Sequence, residues 1–131
     1  MHFGLTEEQI AFQDSVRRFA ETHLAKDALA RAHDERFPWD VAKLMAENGL
    51  FGIMLPEEDG GQGGTLFDAV LAMEQIAYVC PRSADVLQAG NFGAFRTFAE
   101  YATPEQKERF FGPLLRGETI AAVGMTEPDA G

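Results

Sequence analysis

The sequence predicts an all-α fold of five or six helices followed by one short strand at the C-terminus. Three observations carry this expectation. Apolar residues recur at three- and four-residue intervals over most of the chain, several of those runs begin at a capping residue or a proline, and a strand-like run is confined to residues 119–125.

The first helix opens at Leu5-Thr6-Glu7-Glu8-Gln9-Ile10. Thr6 can accept from the amide of Gln9 while the Gln9 side chain reaches back, and Leu5 and Ile10 have the spacing of a hydrophobic staple. Glu7 and Glu8 sit in the first turn, where the positive end of the helix dipole favours them. Phe12, Val16, Phe19, Ala20 and Leu24 then define one buried face, and the helix runs to about Ala25, continuing after an adjustment from Ala28 to Ala32. Pro38 disfavours helix at Phe37 and suits the first turn of a new helix, whose inner face is Val41, Leu44 and Met45. Gly49 closes that helix by taking the left-handed conformation.

Residues 50–55 are apolar and bounded by Gly49 and Pro56, which makes them a buried connector or a short strand, and a glycine-rich loop follows over 56–64. Thr65 caps a helix in which Leu66, Ala69, Val70, Met73, Ile76 and Ala77 share a face. Pro81 separates it from the next helix, capped by Ser83 and carrying Val86, Leu87, Phe92, Phe95 and Phe98. Gly90 and Gly93 each lower the helix preference there by about 1 kcal/mol and mark close approach of another helix or a ligand. Thr103-Pro104-Glu105-Gln106 is a second capping box, opening a helix through about Phe111. Residues 119–125 read as a strand and 126–131 as a turn. Such a strand either pairs with 50–55 or belongs to a sheet lying elsewhere.

The 131 residues suit one core, and 46% hydrophobic with 24% charged residues fits a globular chain. Eleven Lys and Arg against twenty-one Asp and Glu leave a net charge of -10, which argues against nucleic acid and against an anionic membrane surface. The one cysteine, Cys80, cannot form an internal disulfide, so a reducing, cytoplasmic setting is expected. No basic segment precedes a long apolar core at the N-terminus, so neither a signal peptide nor a membrane span is expected.

Candidate sites divide sharply by type. The glycines at 60, 61, 63 and 64 match neither the dinucleotide fingerprint, which would need a glycine where Leu66 stands, nor the phosphate-binding Gly-Lys-Ser/Thr, and so read as a structural turn. His2, His23 and His33 lack metal-ligand spacing, so no metal site is expected. Ser15 and Ser83 lie in no nucleophile elbow, and Cys80 reads as an inert buried thiol. Glu127 is a general base at a strand end or an ordinary turn residue. Thr126, with successive backbone amides, either meets the polar edge of a flat cofactor or simply ends the strand.

The order of motifs goes further. Leu5-Thr6-Glu7-Glu8-Gln9, Gly49-Leu50-Phe51-Gly52, Leu55-Pro56-Glu57-Glu58-Asp59-Gly60-Gly61, Met73-Glu74-Gln75-Ile76-Ala77, Thr103-Pro104-Glu105-Gln106-Lys107 and Met125-Thr126-Glu127-Pro128-Asp129-Ala130-Gly131 together resemble the acyl-CoA dehydrogenase family over nearly the whole chain. The resemblance implies an orthogonal helical bundle over residues 1–118, the family's N-terminal helical domain, and over 119–131 the first strand of its middle β domain. It implies FAD as cofactor, with Val123, Met125 and Thr126 contacting the flavin and Gly131 beginning the stretch that approaches its phosphates. Ala84, Gln88 and Phe92 would line the acyl tunnel, with Phe92 equally readable as core. No catalytic residue is carried over, because the family's carboxylate base belongs to a C-terminal bundle that these residues do not include.

By the same resemblance, the complete protein would oxidise an acyl-CoA thioester and pass electrons to an electron-transfer flavoprotein or similar acceptor. It would be a homo-oligomer in the cytoplasm, or in the mitochondrial matrix of a eukaryote. The chain departs from the family in three respects: it ends at Gly131 where the pattern continues with Ser-Asp, it has Lys26 where proline is common, and residues 88–95 are unusually glycine-rich. A fragment inactive alone is therefore expected. The alternatives are an acyl-CoA oxidase or flavin-dependent monooxygenase on the same scaffold, or a non-catalytic helical module binding a partner subunit through its unpaired strand.

Overall fold

In the computed structural model, which describes residues 4–130, the chain forms seven α-helices and two single-turn 3-10 helices among those residues. Helix α1 (Glu7–His23) begins as its sequence dictates: the Gln9 amide donates to Thr6 Oγ1 at 3.2 Å and the Thr6 amide donates to Gln9 Oε1 at 3.0 Å. A 3-10 turn at Ala25–Asp27 leads into the short α2 (Ala28–Ala32), and α3 (Trp39–Glu47) starts directly after Pro38. Helix α4 (Leu66–Val79) has a capping box closed by Asp68, whose Oδ2 accepts from the Thr65 amide at 2.8 Å.

The single helix expected after Ser83 is instead two, α5 (Pro81–Ala89) and α6 (Ala94–Tyr101). Proline 81 occupies the first turn of α5, while Ser83 is buried within it and its hydroxyl donates to Cys80 Sγ at 3.1 Å. The break falls at Gly93, whose φ of 57° and ψ of -121° cannot continue a right-handed helix. Helix α7 (Pro104–Leu115) opens with the Thr103 and Gln106 capping box and runs through Pro113, four residues beyond the expected end.

The main core forms where α1 and α5 pack on α4. Val16, Ala20 and Leu24 of α1, Val41 and Met45 of α3, Ala69, Ala72 and Ile76 of α4 and Leu87 of α5 are all buried together. Alanines at 20, 69 and 72, all fully buried, let α1 and α4 approach closely. Arg17 Nε donates across that interface to Oε1 of the buried Gln75 at 2.8 Å. A second cluster gathers Leu55, Phe95, Ala99, Phe111 and Leu114 between α6 and α7.

Residues 50–55 form a buried connector of turns rather than a strand. The glycine loop folds back upon this connector: Gln62, Gly63 and Gly64 donate amides to the carbonyls of Gly52, Leu55 and Ile53 at 3.0, 2.8 and 2.8 Å. A Cβ on Gly61 would stand 2.3 Å from the Leu55 carbonyl oxygen, so glycine is required for this backbone contact. The loop is a structural turn.

The strand expected at 119–125 is not formed among the described residues; these residues lie in neither helix nor strand. Its candidate partner is committed to turns, and a lone extended segment has no ladder to join. One isolated bridge joins Glu127 and Ala130, closing a turn with the Glu127 amide donating to the Ala130 carbonyl at 2.8 Å. No described helix is long and apolar enough to cross a membrane.

Candidate functional site

The end of α5, the corner at residues 90–93 and the start of α6 form one wall of a surface hollow of about 210 Å³. Ala121 and Val123 of the C-terminal segment form the other. Gln88 and Phe92, two of the residues expected to meet substrate, thus share a cavity with Val123, expected to meet cofactor. Gln88 is exposed, while Phe92 is half-buried and also packs on the main core, so both readings of Phe92 have a structural counterpart.

The remaining expected residues lie apart. Ala84 is buried in the core at 8% exposure and does not line the hollow. Helix α5 packs against α2, α3 and α4, and its face passes from the core at Ala84 to the surface at Gln88. Met125 and Thr126 are exposed and outside the hollow, and Gly131 lies outside the described residues. Asp85 is not among the expected residues, although the spacing that selects Gln88 and Phe92 admits it equally. It lines the hollow, and its Oδ2 accepts from Arg82 Nη1 at 3.3 Å.

A wider apolar groove of about 700 Å³ shares Ala94, Ala121 and Val123 with the hollow and extends between α6, α7 and the C-terminal segment. Phe98 forms its floor, edge-on to Phe110 and Phe111 at centroid distances of 5.8 and 5.6 Å. Tyr101, Phe110, Ile120 and Val123 remain exposed along it, at 76, 42, 39 and 60%. So broad an apolar face is suited to covering by protein or ligand. The hollow has one titratable lining residue, Asp85, so it can bind and shape an apolar group but contains no nucleophile paired with a base.

Other polar clusters are paired through salt bridges, although the buried Arg31 Nε has no partner among the described residues. Around Trp39, a hollow of about 500 Å³ brings together Arg31, Arg36 and Arg82. Arg31 donates to both Asp40 carboxylate oxygens, at 3.1 and 2.7 Å, and Arg36 pairs twice with Asp34, at 3.0 and 2.9 Å. The Arg31 hydrogen bonds hold the Asp40 carboxyl below its ordinary range, and those from Arg36 lower Asp34 to about 2. Cys80 is fully buried, and His23 packs on Phe19 with ring centroids 5.2 Å apart. His2 lies outside the described residues. Among the described residues, no group of three or more His, Cys, Asp or Glu is placed to hold a metal ion.

Comparison with known proteins gives this geometry a family. Residues 6–118 match the family profile described as acyl-CoA dehydrogenase, N-terminal domain. The chain is 37% identical to the short-chain-specific acyl-CoA dehydrogenase of Clostridium acetobutylicum, over all of this chain and 35% of that protein. Its fold superposes on butyryl-CoA dehydrogenase from Megasphaera elsdenii with a TM-score of 0.80 and 30% identity, covering the whole chain and 35% of the other. A chain from a structure described as the electron transferring flavoprotein of Acidaminococcus fermentans matches with a TM-score of 0.83 and 32% identity, over 100% of this chain and 34% of that one. The chain spans about a third of the length of the relatives it matches. The helical bundle described above is the N-terminal domain of the acyl-CoA dehydrogenase family, and the chain belongs to that family.

Proposed function

We propose that this chain is the N-terminal part of an FAD-dependent acyl-CoA dehydrogenase, which forms an α,β double bond in an acyl-CoA thioester. The observation that carries the reading is the hollow at the end of α5. It unites Gln88 and Phe92, which resemblance assigns to the acyl tunnel, with Val123, which resemblance assigns to the flavin edge. Gln88 and Phe92 bound the acyl group, and the adjoining groove continues that wall with apolar side chains.

Bound FAD would supply a hydride acceptor for the β carbon. The segment around Val123, Met125 and Thr126 suits such a group, because it is exposed, with backbone groups not engaged in helix or sheet. It offers the Thr126 hydroxyl and adjacent amides to a flat polar edge. This chain holds the acyl group, while the one carboxylate that lines the hollow among the described residues, Asp85, is paired with Arg82 rather than free to take the α proton. Proton removal belongs to a carboxylate in the two thirds of the family's length that these residues do not span.

The complete protein then passes electrons to an electron-transfer flavoprotein or similar acceptor, works as a homo-oligomer and resides in the cytoplasm. A net charge of -10 fits binding of the FAD and CoA phosphates mainly by other parts of that protein. Anaerobic addition of acyl-CoA thioesters to the purified complete flavoprotein tests the reading. Bleaching of the oxidised-flavin absorbance is expected, with no turnover by the 131-residue chain alone in the presence of an artificial electron acceptor. A flavin that stays oxidised with thioesters of every chain length, or turnover by the isolated chain, would refute it.

A further inference from the structure

Asn91 is 2% exposed, at the corner between α5 and α6 and next in sequence to Phe92 of the hollow. Its side-chain amide is fully engaged: Oδ1 accepts from the Ile53 amide at 2.7 Å, and Nδ2 donates to the carbonyls of Leu50 at 2.7 Å and Leu87 at 3.0 Å. One side chain thereby ties the connector at 50–55 to the last turn of α5. The Gly52 amide donates to the Gly90 carbonyl at 3.0 Å, adding a backbone tie at the same place. Gly90 lies so close to the Phe51 ring that a Cβ would approach Cδ1 to 2.4 Å.

Asn91 immediately precedes Phe92, which stands in the hollow, and Gly93, around which a Cβ would meet nothing within 4 Å. The corner is thus anchored at Asn91 and open at Gly93. Directional hydrogen bonds fix the angle of a segment as well as its depth, which apolar filling of the same space would not do. Resting on the acyl-binding reading of the hollow, we propose that Asn91 is the positioning residue of the substrate wall. Its amide sets where Phe92 stands, and so sets the acyl chain length that the hollow admits.

The test uses the complete flavoprotein and a series of straight-chain acyl-CoA thioesters from short to long. Asn91→Ser loses the reach to the connector, and Asn91→Asp keeps the shape but opposes the Leu50 and Leu87 carbonyls with an acceptor. Gln75→Met is the control, because it removes the part-buried hydrogen bond between α1 and α4, away from the hollow. The long-to-short ratio of kcat/KM is expected to shift about tenfold in the Asn91 variants, mainly through KM, and by less than about twofold in Gln75→Met. An unchanged ratio in a folded Asn91 variant, or an equal shift in the control, overturns the proposal.

Wild-type protein gives a second measurement independent of variant folding. Binding of an unreactive acyl-CoA thioether is expected to slow exchange of the Ile53 amide about tenfold, through its bond to Asn91, and unchanged exchange overturns the proposal. Wild type that oxidises acyl-CoA without these Asn91 effects refutes this inference alone. Wild-type flavin that no thioester reduces removes the acyl-CoA reading, and the inference with it.

Discussion

Replacing Gly90 with alanine probes the contact on which the α5 corner is built. Its backbone is right-handed, with φ -87° and ψ -1°, so alanine is allowed there and would gain about 0.4–1 kcal/mol by restricting the unfolded chain. Packing opposes this gain. The new Cβ would lie 2.4 Å from Cδ1 and 2.6 Å from Cε1 and Cγ of Phe51, a buried ring at 3% exposure with little room to retreat. Overpacking of this kind costs about 1–3 kcal/mol, so a net loss of about 1–2 kcal/mol is expected.

Two glycines separate that mechanism from backbone effects. A Cβ on Gly124 meets nothing within 4 Å and its φ is not positive, so Gly124→Ala should be neutral or slightly stabilising. Gly93 also has open space around it but a φ of 57° with ψ of -121°, so Gly93→Ala should cost about 1–3 kcal/mol through strain alone. Urea unfolding followed by circular dichroism gives each value. Combining Gly90→Ala with Phe51→Leu should cost at least about 1 kcal/mol less than the sum of the two changes, whereas Gly93→Ala and Phe51→Leu should add. Gly90→Ala as stable as Gly124→Ala, or simple additivity with Phe51→Leu, would refute the packing argument.

Three further outcomes are expected. Thr65→Ala removes the cap that accepts from the Asp68 amide at 3.2 Å, and should lower stability by about 1 kcal/mol in the same urea experiment. Asp59→Asn weakens the 2.6 Å pair with Lys107 that joins the glycine loop to α7. A loss of about 1 kcal/mol that shrinks in high salt is expected, and a salt-independent loss would point to packing instead. The Arg31 and Asp40 pair should make stability pH-dependent in the acid range. As pH falls, the unfolded Asp40 carboxyl takes up its proton near 3.8 and the folded one only below that, so the pair's contribution is complete above this window and lost as pH falls through it. The difference in thermal midpoint between wild type and Asp40→Asn should therefore be largest near neutrality and close on acidification; a constant difference down to pH 3 would contradict this.

Much of the fold is legible locally. Capping boxes at Thr6 and Thr103 fix two helix starts because each satisfies its own amides within three residues, whatever lies beyond. The glycine at 49 ends α3 for an equally local reason, its φ of 70°. The break between α5 and α6 was hidden because Gly90 and Gly93 both read as weak points, and only the backbone shows that Gly93 turns the chain while Gly90 accommodates Phe51. The strand at 119–125 could not be settled by its own residues, since a strand exists only with a partner.

The candidate site follows the same division. Gln88 and Phe92 share helical spacing, but their meeting with Val123 depends on how the C-terminal segment crosses α6. Asn91 gave no periodic signal at all. Its role rests on three groups up to 41 residues away in sequence.

The most direct measurement places the acyl chain. A benzophenone-tipped acyl-CoA is bound to the complete flavoprotein, irradiated and mapped by peptide mass spectrometry. Labelling within residues 85–93, on the wall formed by Gln88 and Phe92, is the expected result. Labelling confined to the α2 and α3 surface around Trp39, or lying wholly outside residues 4–130, would contradict the assignment of this hollow to the acyl group.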